Sequence, residues 1–263
     1  MPGLQLLGPG LRNLRLSWAL TRQDLRKRYS GSVLGLLWLL VYPAAYLALY
    51  VFVFSVILKV KAPALTQSDY VLSMFCGLVP FLAFTDGLSL GTGSIARNRN
   101  LIKNTLFPIE LIPLKDVLVG HSAMGIGFVL VWLAVLLSGR FSAWHLLMPL
   151  FILLQIALCA GLVWIAATVN IFVRDLEKIL PVLVIALMLI SPIAYTIDFV
   201  PEQLRLVYLI NPLAPIIESY RGILLYGTLQ PTFVAIFAVE SIVVFFAGLW
   251  FHNRLKPLLV EHV

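Results

Sequence analysis

Long apolar runs alternate along this chain with short segments that collect arginine, lysine and proline. Six runs, at about 34–58, 70–96, 116–138, 144–173, 179–198 and 231–252, are each long enough to cross a bilayer as a helix, which takes about 20 residues. They are continuous rather than alternating, which argues against a transmembrane β-barrel. Residues 199–230 are also rather apolar, but Asn211-Pro212, Pro215, Glu218 and Arg221 interrupt them. Two short re-entrant or interfacial helices hinged near Asn211-Pro212 fit this segment better than a seventh span. Broken backbone at membrane depth is tolerated only against protein or a water-filled cavity.

Ahead of the first span, residues 11–29 carry helical periodicity. At 100° per residue Leu11, Leu14, Trp18, Leu25 and Tyr29 share one face, and Arg12, Arg15, Arg22 and Arg26 form the adjacent stripe. This predicts a helix lying in the membrane interface, apolar side in lipid and basic side toward anionic headgroups. The expected fold is an all-α polytopic membrane protein forming one domain over residues 1–263. It comprises a cytoplasmic interfacial helix (1–33), six transmembrane helices within 34–252 with a short re-entrant hairpin before the last, and a cytoplasmic tail (253–263).

Composition agrees with this class. The chain is 61% hydrophobic and only 12% charged, against about a quarter charged in soluble domains. Its net charge of +7 needs no nucleic acid to explain it. With the N-terminus inside, 14 of the 19 lysines and arginines fall on inner segments and 5 on outer ones, which places both termini in the cytoplasm. The basic N-terminus is followed by an apolar run too long for a signal-peptide core, with no small-residue cleavage site, so no cleavable signal is expected. Cys76 and Cys159 lie within apolar runs and read as small buried hydrophobes.

Candidate chemistry is sparse. Trp38, Tyr42, Tyr46, Tyr50 and Phe54 recur every four residues in the first span. Each step drifts about 40° around the helix, so the five sweep about 160°. Two uses fit: aromatic packing between helices, or a slide on which flat rings stack against sugar faces while hydroxyls exchange hydrogen bonds. Asp86, His121 and Glu240 fall inside spans, where ionisable groups are expensive and need partners. The segment 97–115 mixes charge with Leu101, Ile102, Leu106, Phe107 and Ile109, as expected for a short amphipathic helix pressed against a partner. The tight charged segment 174–178 lies on the same side. GLSLGTGS at 87–94 has no lysine and sits in a span, so it is not a phosphate loop. No metal-ligand spacing, HExxH or extramembrane carboxylate pair occurs, and neither a metal site nor an enzyme is expected.

Three groups of residues carry a resemblance. The first is Arg22 to Trp38, of the form RxDLxxRYxxSxLGxLW, followed by Pro43. The second is the NxxLIKxxxFPxExxPL-like stretch from Asn98 to Leu114. The third is Ser191-Pro192 with Tyr195, then Asn211-Pro212 and Tyr220-Arg221. In order and spacing they resemble the membrane subunit of type-2 ABC exporters of surface polysaccharides, the group that moves O-antigen, capsule and teichoic acid. The resemblance implies a homodimer in the bacterial cytoplasmic (inner) membrane with two copies of a separate ATPase, which would hold the ATP and Mg; this chain would need no cofactor. It also leaves room for periplasmic export partners. A lipid-linked polysaccharide would pass between the two membrane subunits along Trp38, Tyr42, Tyr46, Tyr50, Phe54 and Tyr195. Arg22, Arg26, Lys27 and Arg28 would form an entrance for its lipid-diphosphate headgroup. Arg97, Asn100, Lys103, Phe107, Arg174 and Asp175 would dock the ATPase. Asn211, Pro212, Tyr220 and Arg221 would lie at the outer gate. The competing expectation is an exporter of a small apolar molecule or drug on the same scaffold.

Overall fold

The computed structural model describes residues 9–60, 65–104, 108–195, 200–204 and 211–262, and all the regular structure among them is helical. α1 (Pro9–Tyr29) is the N-terminal helix. A turn through Gly31 and Gly35, both with positive φ, leads to α2 (Trp38–Tyr50), which continues as a π-helical segment, Val51–Ile57. α3 (Gln67–Thr92) follows, capped by the Thr66 hydroxyl accepting from Asp69 N at 3.2 Å. Two short helices, α4 (Ser94–Arg97) and α5 (Arg99–Asn104), come next. α6 (Leu111–Ala123) and α7 (Gly125–Leu137) form one span interrupted at Met124. α8 (Met148–Phe172), α9 (Asp175–Ile190), α10 (Leu213–Arg221) with its π-helical extension Gly222–Tyr226, and α11 (Pro231–His262) complete the chain.

Among the described residues, five helical stretches are long and apolar enough to cross a membrane: Trp38–Ile57, Gln67–Thr92, Leu111–Leu137, Ala143–Phe172 and Pro231–Leu259. α9, expected as a span over 179–198, is a helix of 16 residues. At 1.5 Å per residue that is about 24 Å, short of a hydrocarbon core about 30 Å thick. The third span starts at Leu111 rather than 116, which takes Lys115 into the helix. The last helix runs ten residues past the expected end at 252. The charged segment 174–178 is no loop beyond Arg174, because α9 starts at Asp175 with Asp175 and Glu177 in its first turn.

α3 is the central post, buried on nearly every side and packed on α6, α8, α10 and α7. Close crossings of small residues bring the backbones together, as bundles in lipid require. A Cβ on Gly120 of α6 would lie 2.4 Å from Gly87 N of α3, and one on Gly248 of α11 would lie 2.1 Å from Gly161 O of α8. Cys76 and Cys159 are both buried here, as the sequence predicts.

α1 presents an unexpected face to the bundle. Its side toward the bundle is partly polar, with Ser17 and Thr21 buried and Asp24 bound to Lys115 at 2.6 Å, beside half-buried Leu25 and Tyr29 packed on the core. Trp18 of the expected apolar face stays 61% exposed, as a lipid-facing ring would be. Asp24 and Lys256 both reach the start of α6, at Lys115 and Glu110 respectively, so the C-terminal parts of α1 and α11 lie at the same end of the bundle. At the opposite end Arg140 pairs with Asp69 at 2.7 Å.

Candidate functional site

The aromatic ladder turns as it climbs α2. Trp38 and Tyr42 are exposed, Tyr46 and Phe54 are half-buried, and Tyr50 is buried. This is the consequence of a 40° drift at every four-residue step. Trp38 does local work: its indole Nε1 donates to Ser32 Oγ at 2.9 Å, closing the turn between α1 and α2. Tyr42 and Tyr46 pack at 5.0 Å between centroids, and Tyr50 and Phe54 stack at 5.6 Å. The second pair forms one wall of a cleft of about 210 Å³. Its opposite wall is the end of α9 and the turn after it, including Met188, Ser191, Ile193 and Tyr195. Tyr195, some 140 residues away in sequence, thus joins the ladder.

The turn that carries Tyr195 is held by one buried guanidinium. Arg221 is 1% exposed. It donates from Nη2 to Ile193 O (2.6 Å), from Nη1 to Tyr195 O (3.1 Å) and Glu218 Oε1 (3.0 Å), and from Nε to Ser73 O (3.2 Å). Asn211 Nδ2 donates to Ser191 Oγ at 3.0 Å, while Asn211 Oδ1 accepts from Leu213 N and starts α10. The Tyr220 ring is fully buried between Phe128 and Phe151. Arg221 and Tyr220, expected at the outer gate, are buried and form the internal fastening of the turn beside the aromatic cleft. A fork of five donors can bind three backbone carbonyls and a carboxylate at once, which no lysine can do. Of the hairpin segment, residues 211–226 form one buried helical arm and Glu202–Leu204 a short 3-10 turn; residues 199 and 205–210 lie outside the described residues.

The basic entrance divides. Arg22, Arg26 and Lys27 surround an open depression on α1 of about 300 Å³. Arg28 points elsewhere: its guanidinium forks onto Asp86 of α3, Nη1 to Oδ2 at 2.6 Å and Nη2 to Oδ1 at 2.9 Å. The hydrogen bonds that Arg28 donates to Asp86 raise its already high pKa and outweigh its partial burial. Asp86 thus has a partner that sequence reasoning left open. His121 is buried, its Nδ1 2.9 Å from Val117 O and its Nε2 3.3 Å from Gln155 Nε2. Gln155 also donates to Pro80 O at 2.9 Å, so His121 pins α6 to α8 rather than opening on a path.

At the end of the bundle where α1 and α11 meet α6, charges form a continuous chain. Asp24 of α1 meets Lys115, Lys115 meets Asp116 at 2.6 Å, and Asp116 meets Arg97 of α4 at 3.2 Å. Arg97 also meets Glu177 of α9 at 3.2 Å. Arg97 further donates to Leu90 O, so its donors are taken up within the protein. Among the other expected docking residues, Asn100, Arg174 and Asp175 are exposed at this end. Lys103 lies on α5 with its side chain outside the described set, and Phe107 lies outside the described residues. The Lys115 and Asp116 members, paired inside the helix, carry no motif signal in sequence.

Sequence comparison places this architecture. The profile of the ABC-2 type transporter family matches residues 15–225. An O-antigen export system permease protein RfbA of Klebsiella pneumoniae is 30% identical over 244 residues, covering 92% of each chain. One from Myxococcus xanthus is 26% identical over 241 residues, covering 90% of this chain and 91% of that one. The polysialic acid transport protein KpsM of Escherichia coli is 26% identical over 235 residues, covering 88% and 90%. With the match running from α1 through the buried arm of the hairpin, the chain belongs to the ABC-2 type transporter family.

Proposed function

We propose that this protein is the membrane subunit of an ATP-driven exporter that moves a lipid-linked polysaccharide across the bacterial cytoplasmic membrane. The observation that carries this reading is the end-to-end correspondence with permeases named for O-antigen and polysialic acid transport. The cleft of Tyr50, Phe54 and Tyr195 supports it, since aromatic faces give many weak and equivalent contacts to a sugar chain that must move on.

In this reading the whole chain is one transmembrane domain, α9 completes six spans, and both termini are cytoplasmic, as the positive-inside bias supports. Two copies form the path, and two ATPase subunits carry the ATP, the Mg and all hydrolysis. ATP-driven closure pushes on the α4–α5 segment and the start of α9. The ion-pair chain from Glu177 to Asp24 joins those elements to α6 and α1. Arg22, Arg26 and Lys27 attract the phosphate groups of the lipid anchor. Trp38, Tyr42 and Tyr46 continue the aromatic wall toward that entrance, and periplasmic partners receive the polymer.

The test is deletion of the gene followed by fractionation of surface polysaccharide. Lipid-linked glycan trapped inside a bare cell supports export, and a normal coat refutes it. Replacing Tyr42, Tyr46 and Tyr50 with leucine separates the cargo classes: glycan export should fall at least tenfold, whereas transport of a small apolar molecule would survive.

A further inference from the structure

A second cleft, of about 350 Å³, opens at the end of the bundle that carries the ion-pair chain. It is lined by Ala96 and Arg99 on one side and by Asn170, Arg174, Glu177 and Lys178 on the other. Its charges are unevenly matched. Glu177 is spoken for by Arg97 at 3.2 Å, and Lys178 by Asp175 at 3.2 Å. Among the described residues neither Arg99 nor Arg174 has a carboxylate within ion-pair distance. On the cleft's wall Asn170, 2% exposed, keeps its Oδ1 without a hydrogen-bond partner while its Nδ2 donates to Glu177 Oε2 at 3.5 Å. Two guanidiniums without a counter-charge and a buried amide oxygen awaiting a donor describe a site that is finished by something else.

We infer that this cleft receives a carboxylate-bearing segment of the ATPase subunit, with Arg99 and Arg174 gripping its acidic side chains and Asn170 Oδ1 accepting a hydrogen bond from it. The inference rests on the proposed docking of an ATPase at this end and assigns its chemistry. It also moves the contact. Arg97, the obvious cation by sequence, is consumed by Asp116, Glu177 and Leu90 O, so Arg99 takes its place. Arginine suits the task because its planar fork meets a carboxylate with two parallel hydrogen bonds. Because Glu177 lines the cleft and also ends the ion-pair chain to α1, an acid seated between Arg99 and Arg174 bears directly on that chain. An anionic lipid headgroup offers similar charge and is the competing occupant that the vesicle measurement below tests.

The experiment co-expresses the full-length permease with its ATPase, purifies both in mild detergent and titrates one against the other at two salt concentrations. The double variant R99E/R174E should weaken association on the order of a hundredfold, and R99K/R174K on the order of tenfold or less with a steeper dependence on salt. Thermal unfolding of the permease alone should not change. Wild-type affinity in R99E/R174E overturns the inference, and unchanged affinity joined to lost binding of phosphatidylglycerol vesicles reassigns the cleft to lipid. If the wild-type permease itself holds no ATPase, the docking reading falls and the cleft's assignment with it; if only the variants behave as wild type, docking stands and this cleft is not where it occurs.

Discussion

Arg221→Met removes the guanidinium and keeps most of the volume of its stem, so it tests whether one buried fork fixes the turn beside the aromatic cleft. The variant loses four hydrogen bonds, three of them to carbonyls on α3 and on the turn at 193–195. Glu218, 6% exposed, loses its ion pair with Arg221. Breaking one side of a buried ion pair costs about 3–5 kcal/mol, because the remaining charge stays desolvated. Hydrogen bonds from a charged group to carbonyls are worth about 1.5–3 kcal/mol each before relaxation, so the upper part of the range applies. For a domain of this size that corresponds to a fall in Tm of about 10 °C or more. Arg221→Lys keeps the charge but reaches one or two of the four acceptors and should recover less than half of the loss. The double variant Arg221→Met/Glu218→Gln removes the desolvated charge and should be more stable than Arg221→Met alone by about 1–3 kcal/mol, a coupling readable only from the cycle. The assay is thermal unfolding of detergent-purified protein, alongside surface polysaccharide in cells. The reasoning fails if Arg221→Met unfolds within 2 °C of wild type, or if the double variant is no better than the single.

Gly248→Leu should separate α8 from α11, since even a Cβ at 248 would sit 2.1 Å from Gly161 O; a loss of about 1–3 kcal/mol and lower yield of folded protein are expected from unfolding curves, with Gly248→Ala already visibly weaker. Asp86→Asn deprives Arg28 of its fork and should loosen α1, seen as faster amide hydrogen exchange over residues 20–29, at a cost of about 1 kcal/mol because the pair is part-exposed; the swap Arg28→Asp/Asp86→Arg should recover part of that protection. Burial alone would raise the pKa of Glu110, but the hydrogen bond and charge of Lys256 hold it below the ordinary 4.5. A carboxyl lowered on folding stabilises the protein above its unfolded pKa and loses that contribution as pH falls through its folded pKa. Unfolding followed from pH 7 downward should therefore show an acid-labile step below about 4.5 that Glu110→Gln abolishes.

Much of the architecture is legible in the apolar runs, because bilayer thickness dictates their length and the absence of water dictates helix. The central helices α3 and α8 lie close to where 70–96 and 144–173 place them. The misses have physical causes. α1 packs through Ser17, Thr21 and Asp24 as well as through Leu25 and Tyr29, because polar groups in a membrane need protein partners more than apolar ones do. Lys115 reads as a loop cation because its partners Asp24 and Asp116 lie on another helix and next to it in sequence, and only the packing of α1 on α6 shows that the charges cancel. The burial of Tyr220-Arg221 is not legible in sequence because its environment is built by Phe128, Phe151, Ser73 and the turn at 193–195, all distant in the chain.

Composition and periodicity thus settle by themselves that the protein is a helical membrane bundle, with an N-terminal helix beside the first span and a broken segment before the last. They do so because hydrophobic length and charge bias act locally along the chain. Which charges are spent within the protein and which are left for a partner was decided only by tertiary structure. Arg28 on Asp86, Arg97 on Asp116 and Glu177, and Arg221 on three carbonyls are long-range choices. The positions of the cations can be read from sequence, but a cation's availability depends on the distance to its counter-charge, and only the folded backbone sets that distance.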